Sequence, residues 1–151
     1  MLMEKEKNKI KYSVVVPCYN SSPFLETLCN QAYEAFGEGF ELILVNDFSS
    51  DKTEETISKL QESYNFVKGY SFPENLGQIA ATLYGISKAK GKITITIDDD
   101  LQHSIQSFRI LETLLNNENK GVVVATWATD ESLVRNTSST LFRIISSLLI
   151  L

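Results

Sequence analysis

Short apolar runs, separated by helical repeats, constrain this chain more than any other feature. Tyr12-Ser13-Val14-Val15-Val16-Pro17, Phe40-Glu41-Leu42-Ile43-Leu44-Val45 and Val122-Val123-Val124-Ala125-Thr126 are rich in Val, Ile and Leu and too short for helices. A weaker run covers Phe66 to Phe72, and Ile93-Thr94-Ile95-Thr96-Ile97 alternates with the period of a strand. Between these runs apolar residues recur at helical spacing: Phe24, Leu25, Leu28, Ala32 and Phe36, then Ile57, Leu60 and Tyr64, then Ile79, Leu83 and Ile86, then Ile105, Phe108, Leu111 and Leu115. Ser22 with Pro23, Asp51 with Glu54, and Ser104 read as helix starts. Gly37-Glu38-Gly39 and Gly91 read as stops, and Gly85 and Ala89 are small enough to let the third helix approach a sheet closely. Strand and helix in alternation predict βαβ units: an α/β fold with a mostly parallel, Rossmann-like sheet and helices on both faces.

In open sheets of this kind, ligands bind outside the carboxyl ends of the strands. Three polar clusters fall at such ends: Tyr19-Asn20, Asn46-Asp47, and Asp98-Asp99-Asp100-Leu101-Gln102. They are far apart in sequence, yet the fold predicts them on one rim. Side chains alternate across a strand, so Asp98 and Asp100 are expected to point one way and Asp99 the other. Two carboxylates on one side repel each other, and a hard cation such as Mg²⁺ relieves that, completing its shell with water and substrate phosphate oxygens. On these residues alone a solvated loop, with Asp100 or Ser104 capping the next helix, is an equal reading. His103 beside the cluster reads as a surface or helix-start residue, because no Ser or Cys nucleophile accompanies it.

Several classes are excluded or disfavoured. Neither GxGxxG nor GxxxxGK[ST] occurs, which removes the dinucleotide-binding and P-loop readings and leaves phosphate to be held by metal. A net charge of −5, from 14 basic and 19 acidic residues, argues against a nucleic-acid surface. Cys18 and Cys29 form no CxxC or Cys/His cluster, so a zinc site is not expected and reduced thiols of a cytosolic protein are. Residues 1–10 form a charged lead-in with no apolar stretch, unlike a secretory signal. Residues 11–151 read as a single domain of 43% hydrophobic composition, without a linker or repeat. The run from Leu141 to Leu151 is apolar but falls short of the ~20 residues that span a bilayer. A chain that stops inside such a run reads as cut short at its C-terminus.

Four motifs, in order, resemble family 2 glycosyltransferases of GT-A fold. They are Val14-Val15-Val16-Pro17-Cys18-Tyr19-Asn20, then Val45-Asn46-Asp47-Phe48-Ser49-Ser50-Asp51, then the small-residue spacing Asn75, Gly77, Ala81, Gly85, Ala89 and Gly91, and last Asp98-Asp99-Asp100-Leu101-Gln102. The last is similar to the D-x-D-L-Q metal motif of the branch that transfers sugars to polyprenol phosphates, such as dolichol-phosphate mannosyltransferase. The resemblance implies metal-dependent, inverting transfer of a sugar from a UDP- or GDP-sugar to a polyprenol phosphate or a growing cell-surface glycan. It implies nucleotide contacts from Pro17, Tyr19, Asn20, Asp47, Asn75, Gly77 and Asp98. Mg²⁺ or Mn²⁺ would sit at Asp98, Asp100 and Gln102, and catalysis would rest on Asp98, Asp100 and Arg135. Arg135 lies in the basic and apolar stretch Leu133 to Arg143, where it would position a lipid phosphate. That acceptor is already anionic and needs no general base. The implied location is cytoplasmic, at the cytoplasmic face of the membrane through the C-terminal region, although a helix packed on the sheet is an equal reading of that tail.

Two substitutions depart from the family pattern. Phe48 stands in place of the usual Gly, which predicts a rearranged turn, and Trp127 stands about where this branch has an arginine. A catalytic carboxylate, which other members keep further along, is not expected within these 151 residues. The competing readings are a nucleotidyltransferase of similar architecture, disfavoured because Cys18-Tyr19-Asn20-Ser21 lacks the Gly-rich, basic first loop, and a non-catalytic nucleotide-binding module.

Overall fold

The computed structural model describes residues 10–100. The strand expected at Val122–Thr126, the helix after Ser104, and Gln102, His103, Trp127, Arg135 and the apolar C-terminal run all lie outside the described residues.

Within them, strands β1 (Tyr12–Cys18), β2 (Phe40–Asn46), β3 (Val67–Ser71) and β4 (Ile93–Thr96) alternate with helices α1 (Leu25–Phe36), α2 (Thr53–Ser63) and α3 (Gln78–Lys88). The strands form one sheet in the order β3-β2-β1-β4, and every pairing is parallel. β1 and β2 are buried along their full length, as their uninterrupted apolar sequence requires. Helices cover both faces. On one face the core joins Val14, Val16, Leu42 and Leu44 to Leu25, Leu28, Ala32 and Phe36 of α1 and Ile57 and Leu60 of α2. On the other, Val15, Ile43 and Val45 meet Ala81 of α3.

Local readings were displaced at three places. Helix α1 starts at Leu25, because Ser21 O accepts the N–H of Phe24 in a turn, and Ser22 is no cap. The Ser22 N–H instead reaches Asp51 Oδ2 and Thr53 Oγ1 across the loops. Phe24, assigned to the inner face, is exposed. At α2 the N-cap position is Lys52, and Asp51 acts just before it: its Oδ1 accepts the N–H of Thr53 at 2.9 Å and its hydroxyl at 2.5 Å, while Glu54 stays exposed.

The third displacement concerns α3. Ile79 and Leu83, which marked the helix in the sequence, are exposed, and the buried residues are Ala81 and Gly85, the latter at the close approach its size predicts. The reason is space. A Cβ on Gly85 would lie 2.4 Å from Val15 Cγ1 and 3.2 Å from Val45 Cγ2, so only a small-residue stripe fits against the strands. Gly85→Ala would gain up to ~1 kcal/mol of helix propensity, but overpacking against fully buried Val15 costs about 1–3 kcal/mol. The expected result is a net loss of stability, read as a lower urea midpoint at unchanged m-value.

At the amino ends of the strands, buried Glu41 accepts the Ser13 hydroxyl and the Lys90 N–H, each at 2.6 Å, and Ser13 Oγ accepts the Gly91 N–H at 2.8 Å. This knot fastens the α3–β4 connection and starts β4 in register beside β1. A Cβ at Gly91 would lie 2.6 Å from the backbone of Tyr12 and Ser13, which is why the helix is closed by glycine here.

Candidate active site

From β1 the chain proceeds outward to β2 and β3, then crosses back to lay β4 on the other side of β1. The carboxyl ends of β1 and β4 therefore flank a topological switch point, where loops diverge and leave a crevice. A cleft of about 460 Å³ opens there, lined by Pro17, Cys18 and Tyr19 after β1, Asp47 after β2, Asn75, Gly77 and Gln78 at the start of α3, and Asp98, Asp99 and Asp100 after β4. Of the residues singled out in the sequence, Pro17, Tyr19, Asp47, Asn75, Gly77, Asp98 and Asp100 are thus brought together. Asn20 is not among the lining residues.

Each side chain is held by identifiable contacts. Asp47, 3% exposed, presents its two carboxylate oxygens to two successive backbone donors. Oδ1 accepts the Leu76 N–H at 2.7 Å and Oδ2 the Gly77 N–H at 2.9 Å. Asn75 Nδ2 adds a bond to the Asp47 carbonyl at 3.1 Å. Gly77 has φ +90°, a conformation that strains any residue with a Cβ, and leads into α3 with no side-chain cap. Asn20, in the left-handed region at φ 55°, accepts the N–H groups of Ser50 and Asp51 on its Oδ1 at 2.9 and 3.3 Å. Its contribution is to hold the loop after β2. Phe48 takes φ 58°, so the turn keeps a glycine-like backbone despite the phenylalanine. That conformation costs an ordinary residue about 1–2 kcal/mol.

β4 ends at Thr96 and the acidic cluster lies in the turn that follows, where exposure still alternates. Asp98 and Asp100 are exposed and Asp99 is half-buried, the pattern expected from the sequence. Asp98 Oδ1 accepts Gln78 Nε2 at 2.8 Å, whereas Asp99 Oδ2 turns to the β1 loop, accepting the Tyr19 N–H at 3.2 Å and the Ser21 hydroxyl. Sequence reasoning missed Gln78, Cys18 and Asp99 as lining residues. For Gln78 the signal was its place directly after the Gly77 turn. Asp99 was legible only as the odd member of the alternating trio.

Cys18 and Cys29 are buried free thiols. Burial, reinforced by the Asp99 charge, raises the Cys18 thiol far above its ordinary range, and burial with the Glu26 charge pushes Cys29 up to about 11. Neither is a nucleophile at neutral pH.

Desolvation alone would raise Asp51, but hydrogen bonds from the Thr53 hydroxyl and N–H and the Ser22 N–H outweigh it and hold the carboxyl below its ordinary 3.8. A depressed folded-state pKa contributes stability above the unfolded value and loses it as pH falls through the folded one. Asp51→Asn should therefore flatten the acid limb of a pH–stability curve below about pH 4, the unfolded aspartate range, as followed by thermal melts.

Among the described residues that line the cleft there is no Lys or Arg, and the carboxylates of Asp47, Asp98, Asp99 and Asp100 all face or border it. Also among the described residues, no three His, Cys, Asp or Glu side chains converge into a complete metal cage. The oxygen-only donors Asp98 and Asp100 nevertheless fit a hard divalent cation that takes one or two carboxylates and completes its shell from water and substrate phosphate. The amino terminus of α3 borders the cleft at Gly77 and Gln78 and has no acidic residue in its own first turn; the Gly77 N–H is taken by Asp47, and the N–H groups that follow it add a partial positive charge.

The sequence profile of glycosyl transferase family 2 matches residues 13–148. Undecaprenyl-phosphate 4-deoxy-4-formamido-L-arabinose transferase of Salmonella paratyphi B is 37% identical over 97 residues, which is 62% of this chain and 30% of that protein. The chain thus matches less than a third of the length of this curated relative. Among solved structures, residues 1–349 of S. aureus TarS in complex with UDP superpose with a TM-score of 0.60 at 21% identity, covering 77% of this chain and 38% of that one. The mannosyltransferase PcManGT from Pyrobaculum calidifontis, in complex with GDP-Man and Mn²⁺, gives 0.58 at 22% identity, covering 66% of this chain and 30% of that one. The parallel α/β sheet is that of the GT-A glycosyltransferases, and the chain belongs to glycosyl transferase family 2.

Proposed function

We propose that the cleft binds the nucleoside diphosphate part of a nucleotide-sugar through a divalent cation, for inverting transfer of the sugar to a polyprenol phosphate. The observation that carries this reading is an acid-lined cleft at the β1/β4 switch point. Such a cleft repels a diphosphate unless a cation lies between them. The family membership and the neighbours bound to UDP, or to GDP-Man with Mn²⁺, support it.

Pro17 and the exposed ring of Tyr19 would border the base, and Asp47 would act on the nucleotide by fixing the Asn75–Gly77 turn that faces it. Asp98 and Asp100, with Gln102, would hold Mg²⁺ or Mn²⁺. When bound, the ion neutralises charge growing on the leaving diphosphate. Gln78, donating to Asp98, keeps that carboxylate turned toward the ligand, and the α3 terminus offers backbone N–H groups to phosphate oxygens. An acceptor phosphate is anionic at neutral pH, so attack opposite the leaving group needs orientation rather than a base. Arg135 would supply that orientation. The polyprenol acceptor rests on the curated relative, whose name couples sugar transfer to undecaprenyl phosphate. With such an acceptor, the protein would work at the cytoplasmic face of the membrane through its C-terminal region. Among the described residues no helix is long and apolar enough to cross a membrane.

Calorimetric titration of the chain with UDP and with GDP, each with and without Mn²⁺, tests the reading. Tighter binding of one diphosphate in the presence of Mn²⁺ is expected. No binding of either, or affinity indifferent to the metal, would overturn it.

A further inference from the structure

Asp98 and Asp100 were expected to serve a cation, and nothing in that expectation uses the aspartate between them. Its geometry differs from theirs. Asp99 is half-buried where its neighbours are exposed. A single oxygen, Oδ2, accepts both the Tyr19 N–H and the Ser21 hydroxyl, in a loop some eighty residues away in the chain. Backbone pairing between β1 and β4 ends before this point: Val15 is the last residue of β1 in register with β4, at Thr96, and the Ile97 N–H makes a final bond to Val15 O. Beyond it the residues at the two strand ends, Pro17 to Tyr19 and Asp98 to Asp100, line the cleft.

We propose that Asp99 is a positioning residue: its carboxylate spans the mouth between the strand ends and ties the Tyr19–Ser21 loop to the acidic strand tip. The tie fixes the distance between the two parts of the site that must act together, the aromatic wall at Tyr19 and the carboxylates at Asp98 and Asp100. The same loop is held from its other side, where the Ser21 N–H donates to Thr53 Oγ1 at 2.8 Å and the Asn20 N–H to Ser49 Oγ at 2.9 Å. Asp99 therefore sets only the cleft-facing side of the loop, and its removal leaves the loop anchored to α2 but free to shift at Tyr19. The tie needs an acceptor oxygen rather than a charge, because both donors reach one atom.

This inference rests on the proposed nucleotide site, so its test has two arms. In the ligand-free chain, Asp99→Ala should speed amide hydrogen exchange at Tyr19, read by NMR, while Ser21 and Ser22, bonded to Thr53, keep theirs. In the second arm, Asp99→Ala should weaken binding of the diphosphate by about tenfold, the size expected when a positioning hydrogen bond is lost. Asp99→Asn, whose amide oxygen can accept the same two donors, should recover most of that affinity. Ser21→Ala should weaken binding in the same direction and add less than its own effect on top of Asp99→Ala. Unchanged exchange at Tyr19 in Asp99→Ala overturns the tie whether or not any nucleotide binds. An Asn variant as impaired as Ala also overturns it, because the carboxylate charge would then be acting on the cation directly. Failure of the unmodified chain to bind either diphosphate sinks the nucleotide reading while the exchange arm still decides the tie.

Discussion

Replacing Asp98 and Asp100 together by alanine should abolish the Mn²⁺ dependence of nucleoside diphosphate binding and lower affinity by about a hundredfold, the equivalent of ~3 kcal/mol. The size follows from the composition of the cleft. With no Lys or Arg among the described lining residues, diphosphate charge is offset by the cation and by the terminus of α3. A helix terminus contributes only about 0.3–1 kcal/mol, so the cation carries most of the interaction. Both carboxylates are exposed, and surface substitutions shift folding stability by roughly half a kcal/mol or less. The expected pattern in calorimetry and thermal melts is therefore a large loss of binding with a nearly unchanged Tm. A double variant that binds UDP or GDP as the parent does, with the same response to Mn²⁺, contradicts the assignment.

Asp47→Asn should do the opposite, damaging the fold first and the site through it. Asn keeps the shape but has one acceptor oxygen where Asp47 uses two, at 2.7 and 2.9 Å from successive N–H groups. Whichever way the amide turns, its NH₂ meets a backbone donor. At 3% exposure there is little water to compensate. A buried donor left without a partner costs about 1–3 kcal/mol, and the lost bonds were to an ionised group, roughly twice as strong as neutral ones. A loss of about 2–4 kcal/mol is expected, a large share of the ~5–15 kcal/mol that stabilises a domain. Urea unfolding measures it. Diphosphate affinity should fall as well, because the turn that moves carries Asn75 and Gly77 into the cleft. An Asn variant as stable as the parent would mean that the carboxylate's second bond contributes nothing.

The two substitutions separate what each aspartate was read to do. Asp47 was assigned a direct contact with base or ribose, on resemblance. In the structure its carboxylate oxygens accept the backbone N–H groups of Leu76 and Gly77, so the role proposed for it passes through the turn it fixes. Asn20 was assigned to the nucleotide on the same grounds, and its side chain instead braces Ser50 and Asp51. Both are polar residues at strand ends, and a one-dimensional pattern does not distinguish a polar group aimed at a ligand from one aimed at a neighbouring loop. Ser22 and Asp51 illustrate the same limit. Each reads as a helix cap, yet Ser22 bonds across to Asp51 and Thr53, so the cap of one helix became the fastening of another.

What the sequence determined by itself were the properties that repeat along the backbone. The lengths of the apolar runs set the strands, the Val/Ile/Leu continuity of β1 and β2 set their burial on both faces, and the alternation read from the sequence set Asp98 and Asp100 apart from Asp99. These follow from local stereochemistry, which acts over a few residues and leaves its mark in every segment. The sequence also marked Gly85 as the point where α3 approaches the sheet, but only the tertiary structure decided that Ala81 joins it there while Ile79 and Leu83 are exposed, and that Asp99 reaches the β1 loop. Those outcomes depend on the space left between packed elements and on partners up to eighty residues away, quantities that no single segment contains.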